Sequence, residues 1–249
     1  MVKKHTERIV TLAIDTGALL LSHGAETYRV EDTLNIMCKS RGLKNVDSFV
    51  TPTGIFLSVA DEEDHYTLIR RIKVTGIDLH MIENANDFAR RFASGELDYD
   101  EALVAYQEFA GGVKYSLPIQ VLSGGLSAGF FSLLFKGSIL DTVIALIVGA
   151  LLRYFIIVMR RYELGFFINN FLGSFLMAGA VILFNRFIDF GTQAVIVACM
   201  MQLVPGVAIT NFIRDSISGD FLSGISRGSE ALFIAMAIAF GVGIAYMFF

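Results

Sequence analysis

Five stretches of this chain, 117–135, 139–159, 164–184, 192–213 and 230–249, are apolar over close to the length of a bilayer crossing. About 20 residues rising about 1.5 Å each cover the roughly 30 Å of hydrocarbon in a membrane. Backbone groups in lipid must be satisfied within the segment, so such runs read as helices. The expectation is an α+β soluble N-terminal domain over 1–113, followed by an all-α membrane domain of five transmembrane helices over 114–249. Composition supports this division: a mean hydropathy of +0.60 with 54% hydrophobic residues exceeds what one globular core of this size requires. Through Lys114 the chain carries 18 acidic and 13 basic residues, and beyond it 6 and 7, which reproduces the formal net charge of −4. That balance leaves no basic footprint for nucleic acid. Cys38 and Cys199 make neither a disulfide framework nor a metal site, and no cofactor or metal is expected.

An odd number of spans puts the two ends of the membrane domain on opposite faces. With 1–113 inside, Lys114, Arg160, Arg161, Arg214 and Arg227 fall in inner loops and only Lys136 and Arg186 in outer ones. The excess of cations on the cytoplasmic side favours that choice. It implies a multi-pass protein of the cell (inner) membrane with a cytoplasmic N-terminus and an external C-terminus. Lys3 and Lys4 before an apolar stretch faintly resemble a secretory leader, but Asp15 interrupts the stretch and 23–26 is a poor cleavage site. Ile9, Leu12, Ala13, Thr16, Leu19 and Leu20 recur at helical spacing, which predicts an amphipathic helix closed by Gly24.

A second helix fits 26–40, with Val30, Thr33, Leu34, Met37 and Cys38 inward. Strand-like runs follow at 46–51, 54–60 and 65–73, with Pro52 marking an edge or a break because it cannot donate to a ladder. Helical spacing returns from Asp78 to about 92 and again over 99–110, and Gly111 and Gly112 then form a hinge. The acidic run 61–64 lacks the alternating ligands and glycine of a calcium loop and reads as a solvated turn.

Polar residues inside the apolar runs are the candidates for function. Pro205-Gly206 interrupts the fourth run, where proline deletes a backbone donor and glycine permits close backbone approach; it is either a substrate site or a plain kink. Gln202 and Asn211 supply neutral hydrogen bonds either to a polar substrate or between helices. Asn169 and Asn170 are adjacent amides that cannot both face lipid cheaply. Arg153 lies more than a turn from any expected interface, and either attracts a carboxylate or snorkels toward Arg160 and Arg161. Arg214, Asp215, Asp220, Arg227 and Glu230 cluster around one loop and form either an entry vestibule with a salt-bridge gate or a solvated charge run. Asp141 and Asp189 look like ordinary interfacial residues. Gly125 and Gly129 make a small-xxx-small pattern suited to close helix packing.

The stretch His23-Gly24-Ala25-Glu26-Thr27-Tyr28-Arg29-Val30-Glu31-Asp32 follows an amphipathic helix, and Thr51-Pro52-Thr53-Gly54-Ile55 lies in the strands. Pro205-Gly206 is followed by Asn211, Arg214-Asp215, Gly219-Asp220, Ser223-Gly224 and Glu230-Ala231. Together these resemble the threonine/serine exporter family over nearly the whole chain. Full-length members of that family look like a soluble domain plus about ten spans in two unequal halves. This chain stops after five and so resembles the split form, in which a larger subunit works with a separate small membrane subunit and which is associated with export of dicarboxylates such as succinate. The resemblance implies a secondary exporter of a dicarboxylate, or of threonine or serine, with a hetero-partner and several copies of this chain. Glu26, Arg29 and Thr33 share one helix face; alone they read as a surface ion pair. The resemblance raises the alternative that Glu26, Arg29 and Glu31 form a regulatory or gating surface.

No Walker motif appears, so gradient-coupled transport is expected over ATP-driven pumping, and no catalytic residue is assigned. The rival reading is a membrane-anchored hydrolase using 1–113, but no G-x-S-x-G elbow or H-E-x-x-H pair is present. A scaffold for another membrane protein is a third.

Overall fold

Residues 2–60, 65–73, 76–113, 115–162 and 164–249 are described by a computed structural model of the chain, without the side chains of 2–5. The 61–64 turn and Lys114 lie outside the described residues. The chain divides into two units, one of Met1–Val113 with Val207–Gly228 and one of Lys114–Gly206 with Ser229–Phe249.

The first unit opens with α1 (Val2–Ser22) and α2 (Thr27–Lys39). Their apolar stripes, Ile9, Val10, Ala13 and Leu20 on one and Val30, Leu34, Met37 and Cys38 on the other, are almost wholly buried. Between them Gly24 adopts φ +98, a left-handed conformation that costs glycine nothing and lets the chain reverse direction in one step. A three-stranded antiparallel sheet follows, in the order β1 (Asn45–Thr51), β2 (Gly54–Ala60), β3 (His65–Arg71). Thr51 pairs with Gly54, so Pro52 occupies the two-residue turn, where its missing donor is not needed. Val46, Val50, Ile55, Leu57 and Val59 point into the helices, as the period of two requires. Asp78 caps α3 (Leu79–Ala93) by accepting from the Met81 amide at 3.0 Å. Asp98 and Glu101 form a reciprocal capping box at α4 (Tyr99–Ala110), at 2.8 and 2.9 Å. Two helices, a small sheet and two helices thus make the α+β part that the periodicities predict.

The second unit contains α5 (Leu117–Leu134), α6 (Ile139–Met159) with a 3₁₀ extension Arg160–Tyr162, α7 (Phe166–Asn185), α8 (Thr192–Met200) and most of α10 (Phe221–Phe248). α5 and α6 meet at glycine: a Cβ on Gly125 would lie 2.7 Å from the Leu146 carbonyl oxygen. Asp141, expected as an ordinary interfacial residue, is 6% exposed. It accepts from the Ser138 amide at 2.7 Å in a capping box, and also from the Gly191 amide at 2.7 Å at the start of α8. At the same end of the unit Arg186 donates to the Phe249 carbonyl.

The expectation of five transmembrane helices is corrected by the fourth run. Among the described residues, four helices are long and apolar enough to cross a membrane: Leu117–Leu134, Ile139–Tyr162, Phe166–Asn185 and Phe221–Phe248. The run 192–213 is instead the nine-residue α8, a turn ending at Pro205, and the twelve-residue α9 (Gly206–Ile217). At about 1.5 Å per residue α8 is about 14 Å long, half of what a bilayer requires. Proline supplies no amide to the turn before it, which removes a bond that a continuous helix would make there. α9 belongs to the first unit rather than to the membrane domain. Mean hydropathy averages over this break and registers one segment where the backbone makes two.

Candidate functional site

In the first unit, α9 turns its polar side inward. Asn211 (4% exposed) and Asp215 (0%) are its buried residues, whereas Ile209, Phe212, Ile213 and Ile217 are exposed. The inward face meets the segment between α1 and α2. Asn211 Nδ2 donates to the Gly24 carbonyl at 2.9 Å, and Arg227 Nη2 donates to the Ala25 carbonyl at 2.9 Å. Arg214 pairs with Glu26, whose carboxylate is also 3.7 Å from Arg29. Thr27 Oγ1 lies 2.7 Å from Asp220 Oδ2 and 3.1 Å from Asp215 Oδ1. Asp220 Oδ1 in turn accepts from the Ser223 amide at 3.2 Å, at the start of α10. Arg227 Nε is 3.1 Å from Asp215 Oδ2, within ion-pair distance, but neither atom has an aligned hydrogen-bond partner.

Burial raises Glu26, but its own backbone amide, Arg214 and Arg29 outweigh that and hold it below the usual carboxylate value. Asp215 moves the other way: burial raises it, and Asp220 adds to the rise against Arg227 and Thr27. Glu31 is raised by burial, with the charges of Asp220 and Asp32 adding to it. Its Oε1 accepts from the Val50 amide at 2.8 Å, so it fastens α2 to β1. Of the residues singled out in the sequence, the fold therefore brings together Glu26, Asn211, Arg214, Asp215, Asp220 and Arg227. Glu230 is exposed and belongs to the other unit. Arg29 lines a cleft of about 200 Å³ with Asp32, Asn86 and Arg90. Thr27 and the Gly24 and Ala25 carbonyls escaped the sequence reading as contact groups. Their signal was the unbroken motif 23–32, where attention went to the charged positions.

A second group lies in the second unit. Arg153, half-buried in α6, abuts α5 at Gly124: a Cβ there would lie 2.5 Å from Arg153 Cβ and 2.8 Å from Gln202 Oε1. Gln202 Nε2 donates to the Gly149 carbonyl at 3.1 Å, and Oε1 is buried without a partner. Among the described residues Arg153 has no ion-pair partner. Asn169 and Asn170 donate to the carbonyls of Leu164 at 2.9 Å and Phe166 at 2.7 Å, closing the first turn of their own helix. Asn169 Oδ1 remains buried and unpartnered. A Cβ on Gly206 would meet nothing within 4 Å. The break itself is the work of Pro205.

Four helices long and apolar enough to cross a membrane, with buried unpartnered amide oxygens in the unit that holds them, mark a membrane-embedded protein. The chain belongs to the threonine/serine exporter family, ThrE, whose model matches residues 11–249. It is 24% identical to the "Probable succinate transporter subunit YjjP" of Klebsiella aerogenes over 97% of this chain and 95% of that one. The protein of the same name from Escherichia coli (strain K12) is 25% identical over 96% of this chain and 94% of its own length. The "Probable threonine/serine exporter" of Mycobacterium tuberculosis is 21% identical over 97% of this chain, which covers 46% of that protein. No solved structure matches it.

Proposed function

We propose that this exporter is a secondary, gradient-coupled one, that its substrate is a small dicarboxylate such as succinate, and that Arg153 and Gln202 receive a substrate carboxylate. The observation that carries the reading is Arg153: a cation in a spanning helix with no described counter-ion, whose Cβ and Cγ meet α5 at Gly124, where the unpartnered Gln202 Oε1 also lies. A cation at that depth is costly unless an anion visits it. The names of the two YjjP relatives support a dicarboxylate, and the word subunit in them supports a separate membrane partner; further copies of this chain complete the proposed assembly. The Mycobacterium tuberculosis relative supports threonine or serine as the second reading. None of these three relatives is named as a hydrolase.

The first unit is assigned to the cytoplasm. Arg160 and Arg161 lie at one end of the second unit, while Lys136 and Arg186 mark the other, which Phe249 shares through its bond from Arg186. The motif at 23–32 then acts as a regulatory or gating surface through the contacts of Glu26, while Arg29 and Glu31 set its charge. Efflux from cells carrying Arg153→Ala tests the site. Succinate efflux should fall at least tenfold and threonine efflux much less, because only the dicarboxylate has net negative charge. Equal loss for both substrates, or none, removes Arg153 from the site.

A further inference from the structure

Thr27 Oγ1 has one hydrogen to donate, yet it stands within hydrogen-bond distance of two carboxylate oxygens, Asp220 Oδ2 at 2.7 Å and Asp215 Oδ1 at 3.1 Å. If both acids are ionised, one of the contacts sets an anionic oxygen against a hydroxyl oxygen with no hydrogen between them. Thr27 and Asp215 are 0% exposed, so water does not relieve it. We propose that the Asp215–Thr27–Asp220 contact holds one dissociable proton, and that this proton latches 207–228 onto the start of α2. Asp215 Oδ1–H donates to Thr27 Oγ1, and Thr27 Oγ1–H donates to Asp220 Oδ2. The shorter contact is the one to the ionised acid, as charge-assisted hydrogen bonds require. Loss of the proton to solvent leaves two carboxylates competing for one hydroxyl hydrogen, and the Asp215 contact opens.

The surroundings agree. Facing the pair are Glu26, Arg29 and Glu31 from α2 and its cap, Arg214 from α9 and Arg227 from α10. With every group ionised, Glu26, Glu31, Asp215 and Asp220 stand against Arg29, Arg214 and Arg227, an excess of negative charge that one proton reduces. Asp32 adds a further negative charge beside Glu31. His23, at the end of α1, turns Nδ1 onto the Leu19 carbonyl at 2.7 Å and the Ser22 hydroxyl at 3.1 Å instead. Asp220 sits at the start of α10, where its Oδ1 accepts from the Ser223 amide beside the positive end of the helix. Arg227 Nε stands 3.1 Å from Asp215 Oδ2 without hydrogen-bond alignment, so it favours the charged form by Coulomb attraction alone. Burial opposes that attraction and outweighs it at Asp215.

The test uses the full chain in detergent with isotope-labelled aspartate, titrated by infrared spectroscopy, beside proteolysis across 207–228. Wild type should show one protonated aspartate band that disappears as pH rises, together with protection of the segment. Asp215→Asn keeps a donor toward Thr27, so the band should vanish while protection becomes independent of pH. Thr27→Ser should behave as wild type. Should Asp215→Asn fail to fold, Asp220→Asn removes the other acid and should abolish the titration too. Absence of the band in folded wild type at every pH, or loss of protection at the same pH in wild type and Asp215→Asn, overturns the proposal. Neither readout requires transport, so a failed titration leaves the exporter reading standing and a failed efflux assay leaves the latch standing.

Discussion

Gly124→Ala offers a sharp check on the packing around Arg153. The added Cβ would sit 2.5 Å from Arg153 Cβ, 2.7 Å from Arg153 Cγ and 2.8 Å from Gln202 Oε1. Carbon atoms in good contact stand about 3.5–4.0 Å apart, so α5 and α6 must part locally by about 1 Å or more. The Arg153 Cβ cannot rotate away, because it is fixed to its own helix backbone. Overpacking of this kind costs about 1–3 kcal/mol, against about 1 kcal/mol gained when alanine replaces glycine in a helix. Gly243→Ala, in α10, is the matched control, since its Cβ would meet nothing within 4 Å and only the gain applies. The two variants should therefore differ by about 1–3 kcal/mol, or roughly 2–12 °C in apparent melting temperature for a chain of this size. Differential scanning fluorimetry of the purified proteins reads that difference, and efflux assays should show Gly124→Ala impaired and Gly243→Ala normal. If Gly124→Ala melts and transports like Gly243→Ala, the close approach of Gly124, Arg153 and Gln202 is wrong.

Asp141→Ala should cost about 1–3 kcal/mol in the same melting assay, because it removes the carboxylate to which both the Ser138 and Gly191 amides donate, two hydrogen bonds worth about 0.5–1.5 kcal/mol each. Asp141→Asn, which keeps an acceptor oxygen, should cost less. Glu26 titrates below its usual value, so its pairing with Arg214 stabilises the first unit above the ordinary carboxylate range and is lost as pH falls through the depressed value. Glu26→Gln should flatten that acid limb in a melting curve measured against pH. Asp215, raised, has the opposite sign: its contribution is complete below the ordinary carboxylate value and is lost as pH rises through the raised one.

Where function depends on local periodicity, the sequence was legible. The inward positions of α2, the Pro52 turn between β1 and β2, and the four long apolar helices all follow from spacing and from what proline and glycine permit. The break at 205 was legible as chemistry but not as topology. A window of apolar residues spanning Pro205 looks the same whether the backbone continues or turns, and only tertiary partners decide. α9 misled for a related reason. Helices are read on the assumption that the apolar side faces the core, yet here Asn211 and Asp215 are buried and Ile213 and Ile217 are exposed. Nothing local to 206–217 says that the Gly24 carbonyl and Thr27, nearly two hundred positions earlier, complete that polar face.

The two polar groups differ in how fully they satisfy themselves, and that difference separates their roles. In the first unit the polar groups meet protein partners: Glu26 pairs with Arg214, Asp215 meets Thr27, and the Gly24 and Ala25 carbonyls accept from Asn211 and Arg227. Contacts satisfied within the chain in this way add little beyond a preference for one arrangement. That is the energetics of a fastening. In the second unit Arg153 has no described counter-ion, and Gln202 Oε1 and Asn169 Oδ1 are buried without partners. Each such group carries a desolvation cost of about 1–3 kcal/mol that the folded chain by itself does not recover. A ligand bearing a carboxylate and hydrogen-bonding groups recovers it on binding, and only while bound. Under the proposed function, affinity for such a ligand is stored in the second unit, while the proposed latch in the first sets which arrangement of 207–228 the chain holds.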